Sequence, residues 1–69
     1  MFNKYEIIEK LMQFKQDEII KISTNEIDFF TTLKHIQNRK DIEFLNITDI
    51  YTKESNSIPY CAIESIVIV

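Results

Sequence analysis

Residues 57–69, Ser-Ile-Pro-Tyr-Cys-Ala-Ile-Glu-Ser-Ile-Val-Ile-Val, constrain the fold more than any other part of the chain. The last four, 66–69, are apolar without interruption and rich in β-branched side chains, which suit a pleated and buried surface. A continuous apolar run bounded by polar residues reads as a strand covered on both faces. Left on an open edge, such a strand invites edge-to-edge pairing with another chain. The run is therefore expected inside a sheet or against a second molecule, with Ile66 and Ile68 as candidates for self-association.

A chain of 69 residues makes one small domain, spanning 1–69. A domain of that size buries a small share of its surface and is marginal by itself. The single cysteine, Cys61, excludes an internal disulfide, and with the single histidine, His35, it excludes the usual four-ligand zinc sites. Dense packing or oligomerisation must supply the stability. A homo-oligomer, most simply a dimer, is expected. Phe2 and Tyr5 on the first helix join Ile66 and Ile68 as self-association candidates.

Fourteen isoleucines, seven lysines and five asparagines, with no glycine or tryptophan, favour AT-rich codons. The expected source is a low-GC bacterium, its phage or a plasmid. The net charge is −3 and the two signs are interspersed, which argues against binding driven by phosphate neutralisation. No apolar run approaches the ~20 residues of a membrane helix. The first residues, Met-Phe-Asn-Lys-Tyr-Glu, carry no apolar core of a signal peptide, so a cytoplasmic protein is expected.

Residues 2–16 predict a helix. Phe2, Tyr5, Ile8, Leu11 and Met12 form one apolar stripe, Ile7, Leu11 and Phe14 a second. Residues 18–23 predict a strand, with Ile20 and Ile22 on one face. Ser23-Thr-Asn-Glu26 resembles a capping box, and Ile27, Phe30, Leu33 and Ile36 recur every third residue, so a second helix is expected to about Asn38. Its basic end would hold Lys34, His35, Arg39 and Lys40. A long strand follows over 41–52; Leu45 and Ile47 share one face and Ile42, Phe44 and Ile50 the other, as in a strand packed on both faces or one bulged near Asn46. The turn is expected at 53–57 with Asn56 taking positive φ, then Pro59 at a strand start or edge, and a kink near 61–64. The fold expected is α+β: two helices packed on a small three-stranded sheet, in the order α-β-α-β-β, with a C-terminal hairpin. A crossover through the second helix would make the first two strands parallel.

In the local pattern of Tyr60, Ala62 and Ile63, the stretch 58–67 resembles the last strand pair of Sm-like RNA-binding barrels. The glycine-containing strand those barrels carry earlier has no counterpart here, and a helix is expected in its place. No family is assigned on this resemblance, and no RNA site is carried over from it.

The chemistry-bearing residues are few. Cys61 and His35 are the sole candidates for a nucleophile and its base, and Cys61 between Tyr60 and Ala62 reads as a small buried hydrophobe. Without glycine there is no phosphate-cradling loop. Glu26 with Asp28, and Asp41 with Glu43, read as helix-start and strand-edge charges before metal ligands. No enzyme activity, cofactor or metal is expected. Tyr51 and Tyr60 are expected to pair across the hairpin or to anchor a partner. The function expected is a small non-catalytic interaction module, a regulator or inhibitor that binds another protein, for instance a phage- or plasmid-encoded antagonist of a host enzyme or defence system. Its candidate contacts are Tyr51, Tyr60, Lys34, Arg39 and Lys40. The alternative is a dimeric nucleic-acid-binding regulator that uses Lys34, Arg39 and Lys40.

Overall fold

The computed structural model describes residues 4–37 and 44–69. The first helix, α1, spans Lys4–Met12. It buries Ile7 and Leu11, with Phe14 packed just beyond its end, so the second apolar stripe is the one that faces the core. Tyr5 and Met12 of the first stripe are exposed.

After α1 the chain runs through strands β1 (Ile20–Thr24) and β2 (Asp28–Thr31), a 3₁₀ turn at Leu33–His35, and the short strand β3 (Ile36–Gln37). Strands β4 (Phe44–Thr48) and β5 (Ser55–Pro59) follow. A second 3₁₀ turn at Tyr60–Ala62 leads into β6 (Ile63–Ile68). Among the described residues these form two three-stranded sheets, ordered β2-β1-β6 and β3-β4-β5. The protein is α+β, as expected, but with one α-helix and two sheets in place of two helices on one sheet.

The second helix is the main correction. Ser23 stays in β1 and pairs with Asp28 on one side and Ser65 on the other. The turn between β1 and β2 is closed by Thr24, whose hydroxyl accepts from the N–H groups of Glu26 and Ile27 and donates to the Ile27 carbonyl. The signal at 23–26 is thus real local hydrogen bonding, but it builds a hairpin turn, because a Ser/Thr hydroxyl serves either purpose. Beyond it, Phe29-Phe30-Thr31-Thr32 has the aromatic and β-branched content of a strand. Sheet pairing with β1 on one side overrides the three-residue spacing. The first two strands are therefore antiparallel, not parallel.

The other strands shift as well. The expected 41–52 strand is β4 alone within the described residues; its register to β5 runs without a bulge at Asn46. The irregularity lies at Ser23/Thr24, where β1 meets β6. The turn falls at 49–54, and Lys53, not Asn56, takes positive φ, at 65°. Pro59 closes β5 opposite Phe44, at a sheet edge as expected. The hairpin pairs β4 with β5; β6 then leaves for the other sheet through the 3₁₀ turn, so the last two strands do not pair. That break is the kink expected near 61–64. The helix expected in place of the barrels' glycine-bearing strand is absent; β2, the first 3₁₀ turn and β3 take that course.

One core lies between the sheets and α1. Ile20 and Ile22 of β1, Leu45 and Ile47 of β4, Ile58 of β5, Tyr60, and Ile63 and Ile66 of β6 are buried with Ile7 and Leu11. Phe29, Leu33 and Ile36 pack against them. The sheets are also joined by polar bonds: the fully buried Thr31 hydroxyl donates to the Thr48 carbonyl at 2.9 Å. Among the described residues, no helix is long and apolar enough to cross a membrane.

Candidate interaction surface

The turn at 49–54 is organised by Asp49. Its carboxylate is 5% exposed and accepts three backbone N–H bonds. Tyr51 and Thr52 donate to Oδ1 at 2.9 and 3.1 Å, and Phe30 donates to Oδ2 at 3.1 Å. The Asp49 backbone closes the turn from the other side, with its N–H on Glu54 and its carbonyl receiving Lys53. An aspartate followed by donors two and three residues on is an Asx turn. Burial pushes the Asp49 carboxyl up, but the N–H groups of Phe30, Thr52 and Tyr51 outweigh it and hold the group below its ordinary value.

This turn also seals one edge of the first sheet. The Phe30 N–H goes to Asp49 and the Phe30 carbonyl receives the Ile50 N–H at 2.9 Å. The side of β2 away from β1 is thereby occupied at its centre.

The turn holds Tyr51 outward. Tyr51 is 64% exposed, yet its ring packs edge-on against Phe30, with centroids 5.4 Å apart and planes at 68°. Phe30 stands opposite Lys21, and Lys21 opposite Val67. Since Ile20 and Ile22 face the core, Phe30, Lys21 and Val67 line the sheet's other face. Tyr51, Phe30, the Lys21 stem and Val67 thus form one amphipathic row across β2, β1 and β6. Val67 is 44% exposed and lies on the sheet's second edge, where β6 has no neighbour among the described residues. Ile68, on the core side, is 47% exposed, and Val69 beyond it is also exposed.

The expected site residues scatter. Tyr51 is outward and anchored, but it does not pair with Tyr60, which is buried in the second 3₁₀ turn. Lys34 is exposed on the first 3₁₀ turn, not at the end of a helix. Arg39, Lys40, Phe2, Asp41 and Glu43 lie outside the described residues. Tyr5 is exposed on α1, across the molecule's helix layer. Ile66 is fully buried, so only its backbone can meet a partner; Ile68 offers its side chain. The expectation that 66–69 lies inside a sheet is corrected: among the described residues β6 is an edge strand, and Val67, Ile68 and Val69 are exposed.

Cys61 is exposed, not buried. His35 shares its Nδ1 with the Thr32 hydroxyl at 2.7 Å. Glu26 and Asp28 are exposed at the hairpin between β1 and β2. Among the described residues no group of three or more His, Cys, Asp or Glu side chains is placed to hold a metal ion. An apolar groove of about 200 Å³ lies between α1 and the second sheet, lined by Ile8, Leu11, Met12, Leu33, Ile36 and Leu45. It is smaller than the ~300–1,000 Å³ of a typical small-molecule site.

Sequence reasoning missed Asp49, Phe30 and Val67. For Asp49 the signal was present: Asp-Ile-Tyr-Thr-Lys53 starts with a turn former and ends where positive φ is needed. No family model, no curated protein and no solved structure matches the chain.

Proposed function

We propose that this protein is a small non-catalytic interaction module, a regulator or inhibitor that binds another protein through the aromatic face of Tyr51 and Phe30. The observation that carries the reading is Tyr51: a large side chain held outward on a turn whose backbone Asp49 fixes. Interface hot spots are enriched in tyrosine. A residue already held in place loses less freedom on binding, which favours affinity. The phage- or plasmid-borne antagonist of a host system remains the setting that the composition suggests.

The test is a pull-down from a low-GC bacterial lysate with the tagged wild-type chain and with Tyr51→Ala. A stoichiometric protein captured by the wild type and reduced at least about tenfold by Tyr51→Ala supports the reading. Equal capture by both chains removes Tyr51 from the interface. Recovery of nucleic acid alone, lost as salt rises, would instead favour the regulator that uses Lys34, Arg39 and Lys40.

A further inference from the structure

We propose that β6 is the dimer strand of this protein: two copies pair β6 antiparallel about a twofold axis, with Val67 opposite its own counterpart. The inference deepens the interaction reading by naming a second copy as one partner, and it uses a different surface from Tyr51.

The backbone geometry sets which groups are available. Val69 donates to the Ile19 carbonyl at 3.0 Å, and Val67 stands opposite Lys21. Backbone groups alternate sides along an antiparallel strand, so Val67 and Val69 point to β1 while Ile66 and Ile68 present their N–H and C=O to the open edge. An edge of this kind is a template for another strand. In the first sheet the opposite edge is taken by Asp49 and Ile50, which leaves β6 as the open side among the described residues.

The side chains choose the register. Centred on Val67, Ile66 and Ile68 of one copy exchange backbone bonds with Ile68 and Ile66 of the other. Ile68, half exposed on the core side, then lies over the backbone of Ile66 in its twin, whose side chain is already buried. Val67 meets Val67 on the outer face, an apolar cross-strand contact. Glu64, the one charge on β6, falls outside the paired segment. Shifting the centre to Ile66 would set the Glu64 carboxylate opposite the apolar Ile68.

The edge strands of the second sheet among the described residues, β3 and β5, fit less well, and β3 is only two residues long. β5 exposes Ser55 and Ser57 and ends at Pro59, which has no N–H. A polar edge gives Val67 and Ile68 no apolar complement. Isologous pairing of β6 with itself does, and twofold dimers are the commonest oligomers. The paired segment is short, so the dimer is expected to be a weak one that dissociates in the micromolar range. Its consequence is a continuous six-stranded sheet whose outer face carries both Tyr51 rings.

The experiment is sedimentation equilibrium on the full chain from about 1 μM to about 1 mM. A monomer–dimer equilibrium is expected, and Val67→Lys weakens it at least about tenfold by placing like charges directly opposite. Circular dichroism checks that this variant stays folded. Val67→Cys in a Cys61→Ser background gives the second readout: mild oxidation links two copies covalently, because directly opposed residues of a non-hydrogen-bonded pair sit ~4.5 Å apart at Cα. Tyr51→Ala leaves the dimer intact, which separates this proposal from the binding face. A monomer at every concentration overturns the proposal. So does an assembly larger than two copies, or a dimer that Val67→Lys leaves unchanged and Val67→Cys fails to link.

Discussion

The two edges of the first sheet are built differently. The β2 edge is closed from within the chain: Asp49 and Ile50 take the N–H and C=O of Phe30, and the Thr31 hydroxyl reaches the Thr48 carbonyl. The β6 edge carries comparable apolar content, yet among the described residues no strand lies beside it. A sheet edge is closed by polar groups that satisfy its backbone, not by the greasiness of the strand. Hydrophobic side chains decide which face turns inward; they do not decide whether the edge is free. Here the hydrophobic strand is the open one among the described residues, and the closed one is held by the Asp49 carboxylate, the Ile50 N–H and the Thr31 hydroxyl.

Three substitutions sharpen that contrast. The largest effect is expected from Ile66→Ala, which removes a fully buried side chain of β6 and costs about 2–5 kcal/mol of stability in urea unfolding. A loss below about 1 kcal/mol would mean that the open edge is not anchored in the core by this residue. Next is Asp49→Asn at the closed edge. It weakens three bonds to a charged acceptor and is expected to cost about 1.5–3 kcal/mol at neutral pH. Because the folded carboxyl titrates below its ordinary value, its contribution is present above the unfolded pKa and is lost as pH falls through the folded one. The gap between wild type and Asp49→Asn should therefore close below about pH 4. A gap that persists at low pH would show that the charge is not what holds the turn. The smallest is Thr31→Val, which removes the hydroxyl between the sheets at nearly constant volume and is expected to cost about 1 kcal/mol. Amide exchange should then rise in β2 before it rises in β1, since β1 has sheet partners on both sides.

The site was less legible than the fold. Tyr51, an aromatic beside turn residues, reads from sequence either as a cross-strand partner of Tyr60 or as an amphipathic anchor. Its neighbour Phe30 reads as helical, since Ile27, Phe30, Leu33 and Ile36 keep helical spacing. Spacing reports which residues are apolar, not what they touch. In the folded chain Phe30 faces outward, Ile27 is exposed, and only Leu33 and Ile36 of the four pack on the core. Tyr60 lies in the 3₁₀ turn at Tyr60–Ala62, which buries it and leaves Cys61 outside.

The sequence by itself determined what depends on neighbours in the chain. It placed α1, the alternation of Ile20 and Ile22 in β1, the shared face of Leu45 and Ile47, the edge position of Pro59 and the kink before β6. These follow from periodicity and from the covalent limits of proline, which act locally. Tertiary structure decided whether 23–37 was helix or hairpin, which strand met which, and which edge stayed open. Those choices turn on hydrogen bonds between residues about 20 apart, such as Phe30 with Asp49, and on pairing between β1 and a strand more than 40 residues later. Loop closure of that length is decided by the collective fit of the core, and no local window of sequence contains it.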